Sequence, residues 1–300
     1  MKKTYLNPAV IISAFIAVLI ILPTTGTSAA SPLGKLLENA MQGGNYSTPS
    51  IEEVTQAEQL FFTLLTEQQG QENAWEKLGW EYLPMDLDGK QAVVLREAEE
   101  QKRGRGFFVF FRSEGFSEQA LMIPHGFKDL LTDEIGVALI SEGNFRCAAF
   151  NTRPRRIEQD EELIEQDLAH EPISYFTALT KAFALYSPHG HILQLHGYAQ
   201  EKRQTEAGKT SDFILSSGTE DAHQDVRSLS SCLNRTFKMQ ALVYPDQVEE
   251  LGATTNISGK ILRAMKHDGF VHLEMNRSVR EQLSTTERDR KKFLRCTELN

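Results

Sequence analysis

The 300-residue sequence contains three cysteines, and none of them is separated from another by two residues. No Cys-x-x-Cys pair exists to build a zinc knuckle or a thioredoxin-like redox site. Ser216-Ser217-Gly218 is the best serine candidate, but no Gly-x-Ser-x-Gly elbow surrounds it, which argues against a serine hydrolase of that kind. Excess positive charge is missing as well. The formal net charge is −9, which argues against general nucleic-acid binding. There is no internal repeat, heptad pattern or low-complexity segment.

The longest apolar run is Val10–Leu22, interrupted only by Ser13. It is shorter than the ~18–20 residues a spanning helix requires. Lys2 and Lys3 precede it, and Ser28-Ala29-Ala30 supplies small residues at a cleavage position. Residues 1–30 therefore read as a secretory signal peptide, and the processed chain is expected to be exported, periplasmic or secreted, with no stable membrane span. Lys2 and Lys3 are the only charges in that segment, so its removal shifts the formal charge to −11. In an oxidising compartment the odd cysteine count leaves one thiol over. Cys147, in the apolar run Phe145–Phe150, reads as a buried free thiol. Cys232 with Cys296 is the pairing to test first, although sequence alone does not fix connectivity.

Residues 31–50, with Pro32, Gly43, Gly44 and Pro49, are expected to form a flexible N-terminal arm. Residues 51–300 are expected to form one catalytic α/β domain. Val54, Ala57, Leu60, Phe61, Leu64 and Leu65 recur at helical spacing. Ala92–Leu95 and Gly106–Phe111 read as an antiparallel strand pair. Beyond them the pattern alternates. Strands are expected before His125, over Arg146–Phe150, before His196, over Asp212–Ser216, over Gln240–Tyr244 and before Glu274. Helices are expected over Asp133–Glu142, Glu158–His170, Pro172–Tyr186 (with Pro172 in its first turn) and Asp221–Phe237. Such alternation implies a mostly parallel twisted sheet with helices on both faces.

In sheets of that kind, ligands bind beyond the carboxyl ends of the strands. His125, Asn151, His196 and Glu274 all fall at such ends. His125 and His196 are each followed by glycine, and a lone strand-end His is more often structural than a ligand. Two of them reverse that weighting, because imidazole is the commonest metal-binding side chain. A carboxylate should complete the set. Asp129 lies four residues after His125. Glu134 lies nine after it, where the helix dipole already explains an acidic residue and where Thr132 would cap the helix. Asp129 is favoured, with Glu134 as the alternative. Glu274 ends an apolar strand and shares its face with His272 by simple alternation. It suits a general base, or else pairs with Arg277 or Arg280. Asn151, Arg153, Arg155 and Arg156 follow one strand and Lys202-Arg203 another. Asn151, Arg153 and Arg203 could hold an anionic substrate group, with Arg153 also on an oxyanion, whereas Arg155 and Arg156 could simply pair with the acidic run Glu158–Glu165. Thr254-Thr255-Asn256 could line the site. Asp167 and His170, three apart, read as neighbours on a helix, where a helix-end hydrogen bond is favoured over a supporting role behind the metal ligands.

The run Pro124-His125-Gly126, then Asp129, Thr132 and Glu134-Ile135, resembles the first metal motif of poly-γ-glutamate hydrolases and N-formylglutamate-amidohydrolase-like proteins, relatives of the zinc carboxypeptidases. Gln194-Leu195-His196-Gly197 resembles their second metal-binding strand. Val271–Met275, followed by Arg280, resembles the strand that carries their catalytic glutamate. The resemblance spans about Leu121–Leu283. It implies one Zn2+ held by His125, a carboxylate and His196, with Glu274 as base and Asn151 and Arg153 on a substrate carboxylate. One departure is plain: zinc carboxypeptidases place the carboxylate three residues after the His, usually as Glu, whereas here an Asp stands at four. The reading is an exported zinc-dependent amidohydrolase or metallopeptidase that cleaves an amide beside a carboxylate in a small anionic peptide, of γ-glutamyl or cell-wall type. A metal-dependent esterase or phosphoesterase, or an inactive binding protein on the same fold, are the alternatives.

Overall fold

The computed structural model describes residues 31–66, 71–112, 115–159, 162–165 and 167–298, so the expected signal segment 1–30 lies outside the described residues. The elements run in order α1 (Pro32–Ala40), α2 (Ile51–Thr66), α3 (Glu72–Lys77), β1 (Trp80–Leu87), β2 (Lys90–Glu97), β3 (Phe107–Phe111), β4 (Gln119–Ile123), α4 (Thr132–Glu142), β5 (Cys147–Phe150), β6 (Arg156–Gln159), β7 (Glu162–Glu165) and α5 (Tyr175–Tyr186). They continue with β8 (His191–Gly197), α6 (Glu206–Thr210), β9 (Phe213–Ser216), α7 (Gln224–Phe237), β10 (Ala241–Val243), α8 (Ile257–Ala264), β11 (Phe270–Met275), α9 (Arg277–Thr285) and α10 (Glu287–Thr297).

Nine strands form one sheet in the order β1-β2-β3-β5-β4-β8-β11-β9-β10. Its centre, β5-β4-β8-β11, is parallel, as strand–helix alternation requires. The rest makes the sheet mixed. The β1-β2-β3 meander joins β5 antiparallel, and β9 lies antiparallel to β11. Strand β1 has no counterpart in the sequence reading. Pro84 interrupts its signal, and the strand tolerates that proline because it sits at the sheet edge.

Alternation along the strands divides the core in two. On one face Leu121, Leu193, Leu195 and Leu273 pack with α1, α4, α7, α9 and α10; on the other, Met122, Ile192 and Phe270 pack with α2, α3, α5 and α8. The helical stripe of α2 is buried throughout, as its spacing predicts. Each such aromatic or aliphatic side chain contributes roughly 1.5–3 kcal/mol when taken out of water.

Three local expectations are corrected. Residues 31–50 are not a loose arm: Ser31 caps α1, and Leu33 and Leu37 enter the core. The segment Glu158–His170 is not a helix. Its described residues complete β6, form its antiparallel partner β7 and then a turn before His170, with Ile157 opposite Ile164 and Arg156 paired across the strands with Glu165. Pro172 does not open the next helix, because Ser174 caps α5 through a reciprocal pair with Thr177. A disulfide joins Cys232 to Cys296, tying α7 to α10, and Cys147 is a buried free thiol. Among the described residues, no helix is long and apolar enough to cross a membrane.

Candidate functional site

The face of the sheet covered by α5 and α8 changes character along its strands. At its lower level Ile192 and Phe270 are apolar; two residues on come Gln194 and His272, and two further His196 and Glu274. The register pairs His272 with Gln194 and Glu274 with His196 on adjacent parallel strands, so all four side chains share one face. His125 joins them from the end of β4. The result is a cavity of about 490 Å³ beyond the carboxyl edge of the central strands.

Both His-Gly pairs have a steric reason. A Cβ on Gly126 would fall within 2.1 Å of the Asp133 carboxylate, and one on Gly197 within 2.7 Å of the Arg280 guanidinium. A bare backbone after each histidine thus admits a charged side chain against it.

His125 Nδ1 and His196 Nδ1 lie 3.1 Å apart. Asp129 Oδ2 lies 3.7 Å from the first and 3.4 Å from the second, and no hydrogen bond reaches it although it is buried. The edge of a tetrahedron around a zinc ion bound at ~2.0–2.1 Å is about 3.3 Å, so the three atoms are spaced as ligands of one ion would be. An orphaned carboxylate oxygen facing two imidazole nitrogens makes a donor set that a divalent cation fits. Glu134 is exposed on α4 and takes no part. Nor does Thr132 cap that helix; Leu131 occupies the cap position, and the Thr132 hydroxyl donates to the Asp129 carbonyl.

The outer nitrogens are also held. His125 Nε2 lies 2.5 Å from Asp167 Oδ1, and His196 Nε2 lies 3.0 Å from Gln194 Oε1. Gln194 is fixed in turn by Asn256 Nδ2, which donates to the same oxygen at 2.6 Å. Acceptors at both Nε2 atoms fix the rings and aim both Nδ1 atoms inward, an arrangement characteristic of metal-binding histidines. Burial opposes a charge on His125, but Asp129 and Asp167 outweigh it and raise the ring to about 9. Burial likewise opposes ionisation of Asp129, yet the two imidazoles hold it below the usual carboxylate range. His196 is lowered by its burial. The site is thus built around one positive charge, which a proton or a metal ion can supply.

Glu274 is buried, with Oε2 unpartnered and Oε1 3.7 Å from His272 Nε2. Burial, reinforced by Asp129, pushes its carboxyl up to about 8. A carboxylate tuned toward neutrality can accept and return a proton near pH 7.

The cationic groups agree only in part with those expected. Arg203 lines the cavity, and so do Lys128, Arg155, Lys202 and Arg280. Arg280 donates Nη1 to the Leu130 carbonyl at 2.6 Å and makes no ion pair with a carboxylate among the described residues. Arg153 and Asn151 do not line it. The Asn151 side chain ties the ends of two strands together, donating to the Pro124 carbonyl at 2.8 Å and accepting from the Arg153 amide at 2.9 Å. Arg153 is carried away to the other side of Pro154. Thr255 and Asn256 do line the cavity, as expected. Gln194 and His272 were not assigned a role from sequence, although they carried the signal of sharing a strand face with His196 and Glu274. Asp167 was read as a neighbour of His170, which lies 3.9 Å from it, and its closer contact with His125 carried no signal.

No family model matches this sequence, and no curated protein matches it. Among solved structures, the chain is similar to an N-formylglutamate amidohydrolase from Ralstonia eutropha JMP134, with TM-score 0.42 and 13% identity over 65% of this chain and 98% of that one. It is similar to a protein from Shewanella amazonensis SB2B described provisionally as a metallopeptidase, with TM-score 0.36 and 9% identity over 84% and 97% of the two chains. An aspartoacylase family protein from Mesorhizobium loti gives TM-score 0.34 and 14% identity over 73% and 65%. Likeness at this level does not assign chemistry, which rests on the side chains themselves.

Proposed function

We propose that this protein is an exported, zinc-dependent hydrolase of an amide or peptide bond next to a carboxylate. The observation that carries the reading is the convergence of His125 Nδ1, His196 Nδ1 and the orphaned Asp129 Oδ2, with the unpartnered Glu274 carboxylate in the same cavity. His125, Asp129 and His196 would hold one zinc ion, which supplies a Lewis acid for a carbonyl oxygen and acidifies a water. Glu274 takes the proton from the attacking water and delivers it to the leaving nitrogen. Asp167 and Gln194 keep the two rings in register through both steps. Arg203 and Arg280, beside Glu274, and Lys128 and Arg155 at the rim give the cavity the positive charge that an anionic substrate requires. The substrate class is a small anionic peptide of γ-glutamyl or cell-wall type, supported by the sequence resemblance and these cations. Export is supported by the leader-like residues 1–30 and by the Cys232–Cys296 disulfide.

Metal analysis of the purified protein should give about one equivalent of zinc. The His125→Ala and His196→Ala variants should lose it, and full retention in both ends the reading. A panel of amide and phosphate-ester substrates then separates an amidase from a phosphoesterase. Unchanged turnover in Glu274→Gln removes Glu274 as base, and absence of turnover on every substrate leaves a binding protein.

A further inference from the structure

A second cavity of about 340 Å³ lies on the other side of Pro154. Its walls come from Met41 and the Gly43–Tyr46 stretch, from Gly104, and from Thr152–Pro154 with Ile157 and Glu158. Arg153 is built into it and is only 7% exposed. Its guanidinium carbon stacks 3.7 Å from the centre of the Tyr46 ring. Its stem lies on bare backbone, since a Cβ on Gly104 would come within 2.7 Å of it.

This guanidinium is poorly satisfied for a buried charge. Its one hydrogen bond runs from Nη1 to the Arg103 carbonyl at 3.5 Å, the far limit of such a contact. Nε is buried with no partner, while Nη2, which is not fully buried, has no hydrogen bond to a described residue. No carboxylate there forms an ion pair with it. Glu97, the carboxylate that most affects it, is occupied by the amides of Arg103 and Arg105. Glu158 lines the same cavity but is exposed and unpaired with Arg153. A charge removed from water in this way is unfavourable unless a counter-ion completes it. The free donors are Nε and Nη2, the two that form the side-on fork to a carboxylate, while the stacked tyrosine holds the plane of that fork.

We propose that the Arg153–Tyr46 cavity is a carboxylate-binding site separate from the candidate metal centre, taking one carboxylate of a small organic acid or peptide side-on through Nε and Nη2. The site does not depend on the metal reading, because the two cavities share no lining residue. Arg153 and Arg155 flank Pro154 and serve different cavities, which places the two anion-holding surfaces on either side of one short turn.

Acetate, inorganic phosphate and chloride, titrated into the full-length protein at constant ionic strength, test the proposal by two readouts. The first is the Nε–H signal of Arg153 in a nitrogen–proton correlation spectrum, assigned by its disappearance in Arg153→Lys. The second is the melting temperature. Acetate should move the Nε–H signal saturably and raise the melting temperature, in the wild type and in His125→Ala alike. Arg153→Met should weaken the thermal response by about 10- to 100-fold, the loss of one charge-assisted two-pronged contact, while keeping its zinc equivalent. Tyr46→Leu should weaken it less. An Nε–H signal that ignores acetate overturns the proposal, as does an equal thermal response in Arg153→Met or a response lost only in His125→Ala. Saturation by phosphate at lower concentration than acetate overturns the assignment to a carboxylate.

Discussion

Strand β8 carries a histidine at each end, and the two ends behave differently. His191, at the amino end, is 6% exposed and His196, at the carboxyl end, is 3% exposed. Burial does not separate them; their partners do. His191 Nε2 meets Asp225 Oδ2 at 2.9 Å, an ordinary part-buried contact closed on the protein itself. Nearby, the buried His267 places Nε2 2.8 Å from the Ser187 carbonyl and accepts from the Gly269 amide at Nδ1. At the other end His196 and His125 turn their Nδ1 atoms toward each other and toward a carboxylate oxygen that nothing else satisfies. The lesson is that a buried histidine is read by what both of its nitrogens face, and that an inward-facing set left incomplete by the protein marks the place for a ligand.

The sharpest way to break this comparison is to exchange each ring for alanine. His196→Ala should abolish zinc binding, while His191→Ala should retain the full equivalent and lose about 1–3 kcal/mol of stability, measured by denaturant unfolding. Loss of metal in both variants would erase the distinction between the two ends. The next largest effect lies away from both. The Cys232–Cys296 disulfide closes a loop with a sequence separation of 64, so the doubly serine-substituted protein should be less stable by about 4 kcal/mol on the chain-entropy account, with zinc stoichiometry unchanged.

Asp167→Asn tests whether the outer partner of His125 matters as the inner one does. Zinc affinity, measured by competition with a chelator, should fall by about 10- to 100-fold, and an unchanged affinity would reduce Asp167 to a bystander. The smallest expected effect belongs to Asp133, whose burial, with Glu134 and Asp129 nearby, pushes its carboxyl up to about 7. Its folded value lies above its unfolded one, so its contribution to stability is complete below about pH 4 and is lost as pH rises through 7. Asp133→Asn should melt near the wild-type temperature at pH 4 and progressively higher than wild type toward pH 8. A constant difference across that range would contradict the assignment.

Much of the site was readable before any fold was known. Two His-Gly strand ends and a carboxylate ending an apolar strand are local patterns, and strand alternation alone placed His272 and Glu274 on one face. Asp129 could be preferred over Glu134 because a helix terminus already accounted for Glu134. The contact of Asp167 with His125 was unreadable for a different reason. Asp167 follows a segment rich in glutamate that suits a helix, and only the cross-strand pairs Ile157–Ile164 and Arg156–Glu165 and the 2.8 Å contact between Arg155 and Asp167 make that segment an antiparallel strand pair. Arg153 was misplaced because the side a side chain takes after a strand ends depends on the turn, here one fixed by Asn151 and Pro154.

By itself, then, the sequence determined which residue types stand at the strand tips and which strand faces they share, since both follow from a two-residue period and from chain order. The tertiary structure alone decided which nitrogen of each ring faces inward, which carboxylates reach them, and which arginine enters which cavity. Those outcomes depend on contacts between segments tens of residues apart, fixed by packing and by the hydrogen bonds that buried polar groups must complete.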